Sequence, residues 1–245
     1  MHPIICQIGP FKIYSFGVML SVAVITCAIF LNRDARRHNL TSEFIFDLIF
    51  WVLMGGILGA RLFYIFLNQN YFMANPAEIV MIANGGIAWQ GGLVGGGLTG
   101  YFLIKKNHLP LWPTLDLVAP YIALGHAIGR IGCFLNGCCY GKEVPWGIYF
   151  PVHHAYLHPT QLYESFSLFV IFLILKKAQG WFTAVPGKVF VLYLLLASLE
   201  RFIVEFFRAD HTFTWLGLSV FQIISLVVMG VAFYANSVIK SRSGK

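Results

Sequence analysis

The sequence predicts an all-α, polytopic integral membrane protein of about seven transmembrane helices, with its N-terminus outside and its C-terminus in the cytoplasm. Three observations carry this. Of 245 residues, 58% are hydrophobic and only 11% are charged, against about 25% charged in soluble domains, too few to coat a globule. The apolar residues gather in seven long runs. The basic residues fall mainly in alternate connections between those runs.

A hydrocarbon core of about 30 Å takes about 20 apolar residues in a helix. The first run is Tyr14–Leu31, followed by Arg33, Arg36 and Arg37. Because the charges follow the run, it reads as a first span rather than a cleaved leader. Phe44–Leu67 is the second and Ile87–Ile104 the third, with Lys105 and Lys106 behind it. Leu115–Leu135 is the fourth. Leu162–Leu175 is short for a span, so its helix is expected to begin earlier or lie at a slant. Gly187–Phe207 and Leu216–Ile239 complete the set. Lys and Arg number eleven on one side and three on the other (Lys12, Lys142 and Arg208). The positive side is cytoplasmic, and an odd number of spans puts the N-terminus outside. The net charge of +7 therefore belongs to membrane-flanking loops, and no nucleic-acid partner is expected. No linker or repeat divides the chain, so residues 1–245 read as a single transmembrane domain.

Glycines recur at four-residue spacing: Gly55 and Gly59, then Gly92, Gly96 and Gly100, then Gly125 and Gly129. Small residues at this interval let helices approach closely in lipid.

Arg61, Arg130 and Arg201 lie inside runs, where a charge is costly and points to function. They fall 17, 15 and 14 residues beyond the starts of their runs, roughly 21–26 Å along each helix at about 1.5 Å per residue. All three runs lead outward, so these arginines share the outer third of the bilayer, with Arg208 just above. Snorkelling toward the headgroups explains one such arginine; a cluster points to an anion, and guanidinium suits phosphate. At that depth the natural anion is a phospholipid headgroup. Glu205, four residues after Arg201, and Glu164 near the start of the fifth run can each orient an arginine or act as a base.

Four stretches resemble the prolipoprotein diacylglyceryl transferase family. They are Gly129-Arg130-Ile131-Gly132-Cys133-Phe134-Leu135-Asn136-Gly137, His158-Pro159-Thr160-Gln161-Leu162-Tyr163-Glu164, Arg201-Phe202-Ile203-Val204-Glu205-Phe206-Phe207-Arg208, and the pair Gly59-Ala60-Arg61-Leu62 with Gly91-Gly92-Leu93. The resemblance implies transfer of diacylglyceryl from phosphatidylglycerol to the lipobox cysteine of prolipoprotein signal peptides, in the bacterial cytoplasmic membrane, with no cofactor or metal. It assigns the catalytic set Arg130, Arg201, Glu205, His158 and Glu164. It assigns headgroup contacts to Arg130, Arg201, Arg61, Arg208, Asn136, Gly141 and Gln90. Where familiar members carry His, Asn, Glu and two Tyr, this chain has Gln90, Cys133, Cys138, Phe16 and Ala197; it resembles a branch with Gly-Cys-Cys-Tyr-Gly after the signature. Gln90 cannot take a proton at neutral pH, so the proton acceptor is sought among His126, His158, Glu164 and Glu205. A diverged paralogue that binds phospholipid or modifies another acceptor, and a small transporter or redox protein, are the alternatives.

Cys133, Cys138 and Cys139 admit three readings: a structural disulfide or plain packing, thiol–disulfide chemistry, or a metal site with His126 or His158. Thr160 is placed to cap the fifth helix, with Glu164 in its first turn, which would make the His-Pro-Thr motif architectural.

Overall fold

The computed structural model describes residues 1–9, 11–38, 40–81, 85–182, 185–209, 214–215 and 217–243. Each of the seven apolar runs falls for most of its length in a helix: α1 (Ser15–Arg37), α2 (Ser42–Leu67), α4 (Trp89–Lys106), α5 (Leu111–Asn136), α6 (Thr160–Trp181), α7 (Lys188–Val204) and α8 (Val220–Ser243). A short α3 (Gln69–Ala74) and a 3-10 turn (Pro76–Val80) follow α2. Among the described residues, four helices are long and apolar enough to cross a membrane: α1, α2, α5 and residues Val220–Lys240 of α8. The protein is thus a helical membrane protein.

Helix ends depart from the hydropathy runs for local reasons. α1 continues through Arg33–Arg37 because charged residues form helix well although they end an apolar run. α6 begins at Thr160, earlier than its run, as the short run implied. α7 stops at Val204, where the chain tightens into a 3-10 turn at Glu205–Phe207. The first residue of the last run, Leu216, lies outside the described residues, and its helix starts at Val220.

Sequence reading found no strands, yet three antiparallel hairpins occur. β1 (Ile4–Ile8) pairs with β2 (Phe11–Tyr14), β3 (Glu143–Phe150) with β4 (Ala155–Leu157), and β5 (Thr214–Trp215) with β6 (Leu218–Ser219). β3 is eight residues long but its burial does not alternate, and the other strands have five residues or fewer, so no clear period of two was there to read.

The chain forms two compact units. Unit 1 comprises residues 1–31 and 115–245. Its core sets Ala119, Ala123 and Ala127 of α5 against Leu168, Ile171 and Leu175 of α6. The alanines recur every fourth residue, one flat stripe of a helix. The Asp116 carboxylate of α5 accepts from the backbone N–H groups of Gly187 and Phe190 at 2.5 and 2.8 Å, capping α7 from a neighbouring helix.

Unit 2 comprises residues 32–114. α2 and α4 meet along glycine: Gly55 and Gly59 face Gly91 and Gly95 so closely that a Cβ on either side would overlap the opposite backbone. Spacing pointed to Gly92, Gly96 and Gly100. The tightest approach is one residue back in register, at Gly91 and Gly95, while a Cβ at Gly92 or Gly96 would meet its nearest neighbour at 3.4 or 3.3 Å. Gly91→Val is therefore expected to force the two helices apart and lower stability by about 1–3 kcal/mol or more. Gly97→Ala, which meets nothing within 4 Å, is expected to leave stability unchanged or slightly raised. Thermal unfolding in detergent compares the pair; equal behaviour contradicts the packing.

Candidate functional site

Three helices of unit 1 converge on one carboxylate. Glu164, in the second turn of α6, is 1% exposed. Arg130 of α5 contacts its Oε2 through Nε. Arg201 of α7 reaches Oε1 through a terminal nitrogen at 3.3 Å, and Arg208, just past the 3-10 turn, reaches the same oxygen at 2.9 Å. A second carboxylate completes the network. Glu205 Oε2 lies 2.7 Å from Arg201 and 3.8 Å from Arg208, and its Oε1 accepts from the Ser219 hydroxyl at 2.7 Å. The Arg201 guanidinium also sits over the Phe221 ring, 4.8 Å from its centroid, a cation–π contact.

The spacing of these residues explains why they meet. Arg201 and Glu205 are four apart, neighbours on one face; the 3-10 turn then carries Arg208 back beside them. Three guanidinium groups share two carboxylates in direct contact. Glu200, 9% exposed, stands beside them and accepts from Ser167 Oγ at 3.1 Å. No hydrogen bond from the terminal nitrogens of Arg130 is found among the described residues. Glu164 and Glu205 have their oxygens engaged by arginines and a hydroxyl, which makes them organisers of the arginines.

A loop closes over one end of this network. Lys142 N donates to Phe207 O at 2.8 Å and Gly141 N to His158 O at 3.0 Å. Gly141 bridges to Arg208. A side chain at Gly141 would strike His158, Thr160 and the Phe207 carbonyl, so glycine there permits the close approach that places Arg208. His158 is buried among Trp146, Phe207 and Tyr163, with Nδ1 3.2 Å from the Tyr163 hydroxyl. Burial, then the Lys142 charge, lower its pKa below the ordinary imidazole value. The motif is architectural here, as the sequence allowed, but by a different device. Thr160 does not cap α6: the N-cap is Pro159, without a side-chain cap bond. The Thr160 hydroxyl instead donates to Cys139 O at 2.9 Å, and Gln161 Nε2 to Cys138 O at 2.6 Å, pinning the cysteine loop to α6. Glu164 lies beyond the first turn for the same reason, since α6 starts at Thr160.

Asn136 ends α5. His126 is exposed on α5. The remaining predicted contacts belong to unit 2. Gln90 is exposed in the first turn of α4. Arg61 is 6% exposed, and all five of its N–H groups donate to backbone carbonyls: Nε to Ile79, one terminal nitrogen to Gly85 and Gly86 at 2.7 and 2.9 Å, the other to Glu78 and Met81. The arrangement holds the segment after α3 and engages every donor a phosphate would use. Gln161, Ser219 and Glu200 escaped sequence reading because neutral or single polar residues in apolar runs carry no depth pattern.

A profile of the prolipoprotein diacylglyceryl transferase family matches residues 3–237. The chain belongs to the prolipoprotein diacylglyceryl transferase family. Its relatives include the phosphatidylglycerol–prolipoprotein diacylglyceryl transferases of Clostridium tetani, 33% identical over 99% of both chains, of Trichormus variabilis, 32% identical over 98% of this chain and 91% of the relative, and of Bacillus cereus, 34% identical over 93% and 88%. The sequence resemblance to this transferase family thus holds across the whole chain, and the Arg130, Glu164 and Arg201 segments that carried it form one network.

Removing one partner from a buried ion network leaves a charge uncompensated and costs about 3–5 kcal/mol. Glu164→Gln is expected to lower the unfolding midpoint in detergent by that order, through repulsion among Arg130, Arg201 and Arg208. An unchanged midpoint contradicts the central place of Glu164.

Proposed function

We propose that this protein transfers the diacylglyceryl group of phosphatidylglycerol to the lipobox cysteine thiol of exported prolipoproteins. The sulfur bonds to the glyceryl carbon, the carbon–oxygen bond to phosphate breaks, glycerol 1-phosphate leaves, and the thiol proton is released. The observation that carries the reading is the gathering of three guanidinium groups, Arg130, Arg201 and Arg208, around one point, the donor type that suits a phosphodiester anion. The names of the relatives supply the donor and acceptor.

Within this reading, Arg130 presents its terminal nitrogens to the phosphate, and Arg201 and Arg208 stabilise the charge that grows on the leaving oxygen as the carbon–oxygen bond breaks. Arginines do this without a proton transfer. Glu164 and Glu205 hold the guanidinium planes in position. Asn136 and Gly141 shape the loop beside Arg208. His158 supports that loop and stays neutral at physiological pH, consistent with its lowered pKa. Arg61 orders the segment it holds within unit 2.

The same reading places the chain in the bacterial cytoplasmic membrane with about seven spans, α4, α6 and α7 joining the four most apolar helices. The N-terminus and the arginine network lie on the outer side, where an outer-leaflet phospholipid and an exported cysteine meet. Eleven of the seventeen Lys and Arg residues then flank the cytoplasmic face, in keeping with the positive-inside bias.

Purified protein in phosphatidylglycerol-containing micelles is expected to convert a lipobox peptide to its thioether, detected by mass. Arg130→Lys should lower the rate by about 100-fold or more, because Lys loses the paired geometry and one donor's worth of charge stabilisation is typically 10²–10³. Wild-type turnover by Arg130→Ala removes the phosphate-ligand role.

A further inference from the structure

Three cysteines stand outside the ion-pair network and take no part in the proposed reaction. Cys133 lies in the last turn of α5. Past Asn136 the chain turns back through two left-handed residues, Gly137 (φ +80°) and Cys139 (φ +61°). The second is a conformation that L side chains rarely adopt. Adjacent side chains of an extended segment point to opposite sides; here the turn brings both Cys138 and Cys139 to Cys133. The three sulfurs all lie within 4.8 Å of one another. All three thiols are free.

The loop is held from several directions. Gly137 N and Cys138 N both donate to Cys133 O, at 3.0 and 3.2 Å. The Cys138 and Cys139 carbonyls are tied to α6 by Gln161 and Thr160. Three sulfurs are thus preplaced about a point before any ligand arrives. Zn–S bonds of about 2.3 Å set sulfurs about 3.8 Å apart in a tetrahedral site, within the span observed. Thiolates prefer soft d10 cations to Mg2+ or Ca2+.

Charge favours the same ligand. Three thiolates around a divalent cation carry one net negative charge, which neighbouring guanidinium groups favour. A disulfide would use two sulfurs and leave the third in contact without a role; a cation engages all three.

We propose that Cys133, Cys138 and Cys139 form a three-thiolate site for a single thiophilic d10 cation of the Zn2+ class, with a fourth position open to water or an external ligand. Binding converts three thiols to thiolates, with their protons passing to solvent, and changes no oxidation state. His126 and His158, weighed as ligands from sequence, are not part of the cluster. The ion ties the end of α5, one turn past Arg130, to the loop that carries Gly141. The site does not depend on the proposed transfer reaction, and its test does not read activity.

The full chain, purified in detergent with a reductant and stripped with chelator, is titrated with Zn2+ and passed through a desalting column. One equivalent per chain is expected, with Cys133, Cys138 and Cys139 protected from alkylation until chelator returns. Co2+ in place of Zn2+ should give a thiolate-to-metal charge-transfer band. Cys138→Ser should lose the band and the retained metal, whereas Cys6→Ser, at an exposed cysteine far along the chain, should keep both. The wild-type measurements stand even if Cys138→Ser does not fold. Less than a tenth of an equivalent retained by wild type overturns the proposal. So does metal-free protein from cells whose 133–139 peptide is two hydrogens lighter, the mark of a disulfide.

Discussion

The Glu164 carboxylate lies under three guanidinium groups drawn from three segments of the chain. One charge at the centre of a low-dielectric bundle is costly alone and is held there only by the partners it gathers. Glu164 therefore fixes how α5, α6 and the end of α7 sit together as much as the alanine and leucine stripe between them does. Glu205 repeats the arrangement once more, linking Arg201 and Arg208 to Ser219 before α8. Together the two carboxylates gather Arg130, Arg201 and Arg208 into one cluster of guanidinium groups.

Arg61 illustrates the opposite use of the same side chain. In unit 2 its five donors all meet carbonyls after α3, and it lies 5.2 Å from the Phe72 ring centroid. Arg130 meets a carboxylate and Arg61 meets carbonyls, although both are arginines in apolar helices. Depth in a membrane span marks an arginine as significant; only its neighbours distinguish a ligand from a structural tie. Beside Arg61, the glycine seam of α2 and α4 brings backbones into contact without side chains between them, the form of packing that lipid favours.

Much of this was readable beforehand, for physical reasons. Apolar runs long enough for a bilayer became helices because nothing in them can satisfy backbone groups otherwise. Arg130, Arg201, Glu164 and Glu205 announced themselves as charges where charges are expensive. The three hairpins did not, since β3 lacks an alternating pattern and the other strands are short. Nor did Gln161, whose amide pins the Cys138 carbonyl, since one glutamine in a helix has no pattern. The glycine spacing indicated close packing but missed its register by one residue, because a helix with glycines at 91, 92, 95, 96 and 97 offers two adjacent stripes. Thr160 had the sequence position of a cap and found a better acceptor in the Cys139 carbonyl.

The central claim is that the arginine network selects an anionic phospholipid. Native mass spectrometry of the protein released from mixed micelles of phosphatidylglycerol and phosphatidylcholine tests it most directly. The wild type should retain phosphatidylglycerol preferentially. Arg201→Gln, shown folded by circular dichroism, should lose that preference, whereas Lys12→Gln, outside the network, should keep it. Preferential retention by Arg201→Gln equal to wild type would contradict the account.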